Sequence, residues 1–228
     1  MSPILCPFNR TGITAVNEGV ITKSKNNAPI EPDRFASGSG YATDPYMIST
    51  VSHFNNIRYT DSLSEKTFFK LANSIHLTSS GGKWEPINTF YGNLFGNGHT
   101  VSFDLIEDSV PKTYTGLFRE NHGDISNLNV SGKINVTGGN IYAGLICGWN
   151  AGSIQISQTH IYGNNFSDYM IINYYSTSYC GGLVGVNTNS INMVTNNVHI
   201  YSIGQKGQIA GLDLGTITNW FGYGFLHP

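Results

Sequence analysis

The sequence predicts an all-β solenoid, a parallel β-helix in which short strands stack coil upon coil. Three observations predict it. First, a Gly-Leu phrase running through Asn or Gly to an Ile, and then into an alternating strand, is written four times. The copies are Gly116-Leu117 through Asn121 to Ile125, Gly144-Leu145 through Asn150 to Ile154, Gly182-Leu183 through Asn187 to Ile191, and a shortened Gly211-Leu212 to Ile217. The four Ile residues lie 29, 37 and 26 residues apart, and self-similarity at tens of residues marks a solenoid. Second, the strands are joined by Gly and Asn turns with no helices between them, which points to stacked coils. Third, charged residues make up only 11% of the 228, against roughly a quarter in typical soluble chains. Asn, Ser, Thr, Gly and Tyr replace them, and the aliphatic and aromatic content is too high for disorder.

The elements follow in chain order. Residues 1–40 read as an N-terminal arm or cap, punctuated by Pro, Gly, Asn and Ser. Only Gly12–Val16 and Gly19–Thr22 within it resemble strands. Residues 41–228 read as the β-helix domain. Near 49–60, Val51, Phe54 and Ile57 at helical spacing predict a short helix with Ser49, Thr50 or Ser52 as N-cap. Such a helix would cover the open end of the first coil, as a terminal repeat requires. Phe68 to Leu77 then reads as a strand pair, followed by Trp84 to Ile87. Gly96-Asn97-Gly98 reads as a turn, since Gly and Asn tolerate positive φ.

From Ile125 onward strands recur as Ile-x-x-Leu-x-Val or Ile-x-Ile units, among them Ile154/Ile156, Ile191/Met193 and Val198/Ile200. Insertions are expected at Gly163 to Thr177 and at Gly204 to Gly207. Asn121, Asn150 and Asn187 fall at one corner of successive coils. Either they hydrogen-bond along the axis as an amide ladder, or each serves its own turn through a left-handed φ.

The motifs resemble those of GLUG-motif bacterial surface proteins. Phe90-x-Gly92-x-Leu94-x-Gly96-Asn97-Gly98-His99-Thr100-Val101 is similar to the phrase that precedes GLUG repeats, and Gly181 to Asn187 is similar to the repeat itself. Asp44-Pro45-Tyr46, Phe69-x-Leu71 and Trp84-x-Pro86-Ile87 extend the likeness over about residues 35–195. The resemblance implies a right-handed, pectate-lyase-like β-helix without a catalytic residue to transfer. Phe95 stands where the family usually has Asp, Arg119 replaces a Gly, and the last repeat reads as truncated.

A net charge of −2 with no basic run argues against nucleic acid as a partner. No stretch approaches the ~20 apolar residues of a membrane helix, and the N-terminus lacks the pattern of a signal peptide. The expected location is a cell surface, a particle or the secreted fraction. Cys6, Cys147 and Cys180 give neither a metal spacing nor a disulfide framework and read as small buried hydrophobes. No cofactor is expected.

The first functional reading is a non-enzymatic scaffold acting in adhesion or self-assembly, with itself or a surface glycan or protein as partner. Candidate contact residues are the aromatics that crowd the insertion, Tyr162, Phe166, Tyr169, Tyr174 and Tyr175, and those of the tail at 218–228, Trp220, Phe221, Tyr223 and Phe225. The alternative is a polysaccharide lyase or glycoside hydrolase, which needs paired or clustered carboxylates. Asp104, Glu107 and Asp108, or Asp124 beside Arg119, Glu120 and His122, are the acidic groups available to it.

Overall fold

The computed structural model describes residues 34–60, 67–77, 83–108, 114–136, 140–155, 158–160, 171–173 and 177–228. It is a parallel β-helix. A five-stranded sheet stacks Ile87–Phe90, Phe118–Asn121, Cys147–Asn150, Val184–Asn187 and Ala210–Asp213. A four-stranded sheet stacks Tyr114–Thr115, Tyr142–Ala143, Tyr179–Gly181 and Gln205–Gly207. A bent fourteen-stranded sheet closes the coil. Its first column runs from Tyr46–Ile48 through Phe68–Leu71, Asn93–Phe95, Asp124–Ser126, Ser153–Gln155 and Ser190–Asn196 to Thr216–Gly222. Each strand of the four-stranded sheet marks one complete turn, with partial turns at either end.

The period of the repeats fixes the core. Phe69, Leu94, Ile125, Ile154, Ile191 and Ile217 stack in register, one per rung, and all but the last are buried. A second column, Ile87, Phe118, Cys147, Val184 and Ala210, faces it. Rungs stack at ~4.8 Å, so every inward side chain lies in van der Waals contact with the equivalents above and below. Two units after the stacked Ile comes a corner. Asn127, Met193 and Asn219 there all take positive φ (49°, 53° and 51°). This breaks strand alternation, so the next inward residues are Leu128, Val194 and Trp220. Met193, expected to pair with Ile191 in a period of two, is therefore turned out to solvent.

The predicted helix is α1, Val51–Asn56, continued by a 3-10 turn at Ile57–Tyr59. Thr50 is the N-cap: its side chain accepts from the His53 amide at 3.2 Å. Phe54 and Ile57 are buried, and Phe54 meets Trp84 and Phe118 at ring distances of 6.0 and 6.2 Å. The helical segment contacts the strands Ile75–Leu77 and Ile87–Phe90 and so closes the first coil.

The register corrects the alignment of the Gly-Leu phrases. Leu117, Ile146, Leu183 and Ile209 are equivalent, because Phe118, Cys147, Val184 and Ala210 pair. Gly144 therefore matches Gly181, not Gly182, and Leu145 lies one place early. Gly211 and Leu212 fall beside Gly185 and Val186, so the last copy is full length rather than truncated. Composition misleads here because two glycines per rung serve different close approaches.

A Cβ at Gly148, Gly185 or Gly211 would come within 2.4–2.5 Å of backbone in the preceding strand of the four-stranded sheet. Arg119 occupies that position one rung earlier, above Tyr114–Thr115, which is that sheet's edge strand among the described residues. Among the described residues no strand of that sheet lies below it, and Arg119 Nη1 donates to the Tyr114 carbonyl at 2.9 Å. Gly204 to Gly207 is likewise no insertion: Gln205–Gly207 is a rung paired with Tyr179–Gly181. The residues expected at Tyr162, Phe166, Tyr169, Tyr174 and Tyr175, the arm over 1–33, Ile156 and most of the 163–177 insertion lie outside the described residues.

Candidate functional site

Asn121, Asn150 and Asn187 form an axial amide ladder. Nδ2 of Asn121 donates to Oδ1 of Asn150 at 2.8 Å, and Nδ2 of Asn150 donates to Oδ1 of Asn187 at 2.9 Å. Asn187 Nδ2 in turn donates to Asp213 Oδ1 at 2.8 Å. All three amides are fully buried, and none of the three backbones is left-handed. Asn121 Oδ1 and Asn187 Oδ1 also accept within their own turns, from the Gly123 amide at 3.2 Å and the Asn189 amide at 3.3 Å. Asp213 takes the fourth place and receives a bond from the Gly215 amide at 3.1 Å. A carboxylate accepts without donating, so it ends a ladder that an Asn would pass on.

That end of the stack is where apolar surface gathers. Thr216–Gly222 pairs with Ser190–Asn196 on one edge, and Leu226–His227 pairs with Ile200–Ser202. Residues 208–228 thus stay within the coil as its final rung. Trp220 sits directly over buried Val194 at an inward position, yet is 46% exposed. Leu226 sits over fully buried Ile200 and is 39% exposed. Phe221, Tyr223, Phe225 and Leu214 add to the same exposed end. His199 stacks on Phe225 at 5.1 Å and its Nδ1 lies 3.4 Å from Nε2 of His227, while the His227 ring stacks on Tyr201 at 4.1 Å. Burial, then the neighbouring His227 charge, holds the His199 imidazole below its ordinary range.

Three other groupings carry less. Tyr114, Tyr142 and Tyr179 stack along the axis at 5.4 and 5.0 Å, and Trp149 and His122 continue the stack toward Tyr91. The sequence places Tyr179 with the aromatics of the insertion but does not align it with Tyr114 and Tyr142, because the three lie 28 and 37 residues apart, outside the Gly-Leu phrase. Burial first, then Tyr142 and Glu120, raises the Tyr114 phenol above its usual range. Their faces are spent on one another, leaving edges and hydroxyls rather than the open ring face a sugar would stack on.

The second grouping holds Asp104. His76 Nδ1 lies 2.9 Å from Ser102 Oγ, and His76 Nε2 lies 3.2 Å from Asp104 Oδ1. The residue types are those of a hydrolytic triad, but Ser102 is buried mid-strand between two paired neighbours. The amides around it are taken by the ladders, and a nucleophile needs free donors for the oxyanion. Near Asp124, His122 Nε2 contacts Glu120 Oε2 at 3.2 Å. Among the described residues no group of three metal-ligating side chains converges. The third grouping is a shallow groove of about 510 Å³ lined by Phe68, Lys70, Phe95 and Asp124, where Lys70 Nζ lies 5.6 Å over the Phe95 ring. Cys147 and Cys180 are buried in the core outside any disulfide, and burial pushes the Cys147 thiol up.

No family model matches the chain. It is 35% identical over 131 residues to a protein of Evansella cellulosilytica named "Putative Gly-rich membrane protein", covering 53% of this chain and 15% of the relative. It is 28% identical over 179 residues to halomucin of Haloquadratum walsbyi, covering 75% of this chain and 2% of that protein. The chain therefore spans only a small part of the relatives it matches. Among solved structures, the protein from Bacteroides ovatus described as a "putative immunoglobulin A1 protease" superposes with a TM-score of 0.53 at 15% identity. That alignment covers 82% of this chain and 77% of the other, and shows a shared fold alone. No helix among the described residues is long and apolar enough to cross a membrane.

Proposed function

We propose that this chain is a rigid scaffold segment displayed on a cell or particle surface, acting in self-assembly or adhesion. One observation carries the reading: the stacked aliphatic column and the Asn121–Asn150–Asn187 ladder run from rung to rung, so the residues that repeat are ones that build a stiff coil. The relatives' names support a surface setting, and the small share of their length that the chain spans suits a segment within a long protein. The motifs that resemble GLUG surface proteins point the same way.

The test is sedimentation velocity of the chain across a hundredfold concentration range. Concentration-dependent self-association is expected. A single monomeric species at every concentration removes the assembly reading.

A further inference from the structure

We propose that His199 and His227 form a divalent transition-metal site that ties two adjacent rungs of the coil together. The site goes beyond the self-assembly reading and does not depend on it. Its parts come from one pair of strands. Ile200–Ser202 and Leu226–His227 are parallel, with Ile200 opposite Leu226 and Tyr201 opposite His227. Strand alternation turns Ile200 into the core, so His199 and Tyr201 on either side of it face outward. Phe225 and His227 do the same on the next rung. Four rings thus make a two-by-two array on the outer wall. Along the axis His199 stacks on Phe225 at 5.1 Å, and Tyr201 stacks on His227 at 4.1 Å. Across the diagonal the two imidazole centroids are 5.7 Å apart, and Nδ1 of His199 stands 3.4 Å from Nε2 of His227.

That separation is what a shared metal requires. At metal–nitrogen distances of about 2.0–2.1 Å, two imidazoles on a tetrahedral ion have their nitrogens about 3.3–3.4 Å apart. The observed distance exceeds the roughly 2.7–3.2 Å usual for an N–H donor, so a hydrogen bond accounts for it less well. Other outward histidines meet oxygen: His76 Nε2 lies 3.2 Å from Asp104, and His122 Nε2 lies 3.2 Å from Glu120. Here nitrogen faces nitrogen. Each ring is already set against an aromatic face, the His227 ring within 1° of parallel to Tyr201, so binding orders little. Both imidazoles coordinate in the neutral form. The proton carried by one of the facing nitrogens moves to the outer nitrogen of its own ring, and the ion takes its place between two lone pairs. Water completes the coordination, since no group of three His, Cys, Asp or Glu converges among the described residues. An all-nitrogen pair favours zinc, nickel or copper(II) over calcium or magnesium, with copper(II) held most tightly. One ligand precedes Ile200 and the other lies on the neighbouring strand, so the ion opposes their separation. At free metal a hundred times the Kd, opening of this strand pair becomes about a hundredfold rarer.

The experiment titrates the full chain, carrying Cys6→Ser and no affinity tag, with zinc chloride by calorimetry, and follows amide exchange at Leu226 and Leu71. One ion bound per chain is expected, with binding weakened at least tenfold by His199→Gln and by His227→Gln alike. Metal should slow exchange at Leu226 and leave Leu71 unchanged. His76→Gln is the control and should leave the titration as it was. Copper(II) gives a second readout in the chain with both histidines in place, which decides the matter even where a variant unfolds. It should broaden the ring resonances of His199, His227 and Tyr201 before those of His76 and His122. Absence of binding, binding that survives both substitutions, loss on one substitution alone, or broadening centred elsewhere overturns the inference. So does half an ion per chain, which means a bridge between copies.

Discussion

The two ends of this coil are built from similar residues and treated oppositely. At the N-terminal end, Phe54 and Trp84 are buried because α1 and its 3-10 extension lie across the first coil, with Arg58 set 5.3 Å over the Trp84 ring. At the C-terminal end, Trp220 occupies a core column and remains exposed. The difference is one of position in the stack and not of hydropathy. In a coil whose units bury their apolar face only against neighbours, each terminal rung needs something beyond it. One end carries its cover within the described residues; at the other, Trp220, in the column over Val194, is half exposed.

Truncating the cover should therefore have the largest effect. Phe54→Ala is expected to cost about 3–5 kcal/mol, the range for deleting a buried aromatic from a packed site. Urea denaturation followed by circular dichroism would show it as a lower midpoint with an unchanged slope. Trp220→Ala, by contrast, should cost under about 1 kcal/mol at concentrations where the chain is monomeric, since little of its burial is lost. Equal losses at the two sites would erase the distinction between the ends.

The ladder offers the next comparison, between its interior and its terminus. Asn150→Ala removes both axial bonds and leaves Nδ2 of Asn121 and Oδ1 of Asn187 buried without those partners. An expected cost of about 1–3 kcal/mol follows from losing two buried bonds, since Asn121 Nδ2 keeps only the Gly123 carbonyl and Asn187 Oδ1 only the Asn189 amide, each at 3.3 Å. Asp213→Ala removes two bonds at an exposed site, while Asn187 Nδ2 keeps the Asn189 carbonyl, and should cost about 1 kcal/mol. A ladder residue that tolerated Ala as well as the exposed terminus does would show that the turns, not the axial bonds, hold those corners.

What could be read from the sequence divides along similar lines. The stacked Ile residues, the corner Asn residues and the capping helix were legible, because each follows from a periodicity or a spacing that one strand or one helix imposes on itself. The register of the Gly-Leu phrases was not. Gly148, Gly185 and Gly211 are small because a neighbouring strand passes within contact distance, and a sequence states that a residue is small without stating what approaches it. Arg119 makes the point in reverse: it looks like a flaw in the repeat, yet it stands where no strand of the four-stranded sheet passes beneath it among the described residues. The Tyr114, Tyr142 and Tyr179 stack escaped notice for the same reason, as loop length between rungs varies too much to align rings by counting. Trp220 was legible as a candidate contact residue of the aromatic tail, but its place in the core column over Val194 was not, because that depends on register between rungs.

The helix cap provides a smaller and cleaner perturbation at the covered end. Thr50→Ala deletes the bond that satisfies the His53 amide and should cost about 1 kcal/mol, with α1 fraying first. Amide exchange at His53 and Phe54 would rise before that of the strands, while exchange in Thr216–Gly222 stays as it was. Uniform acceleration along the chain would mean that the two ends unfold as one unit.

The smallest effect expected is a pH response confined to the open end. His199 has its folded-state proton affinity lowered, by burial first and by His227 second. Because the unfolded chain then binds the proton more readily, the contribution of this group is complete above the ordinary histidine value of about 6.5 and is lost as pH falls through it. The 3.4 Å approach of the two imidazoles adds the reason the loss is local: protonating both sets like charges face to face between Ile200–Ser202 and Leu226–His227. Amide exchange at Leu226 should accelerate between pH 7 and pH 5.5 while exchange at Leu71, near the capped end, does not change beyond its intrinsic pH dependence. His199→Gln should abolish the step. If the acceleration survives that substitution, the histidine pair is not what loosens the final rung, and the last rung's weakness lies in its unpaired edge alone.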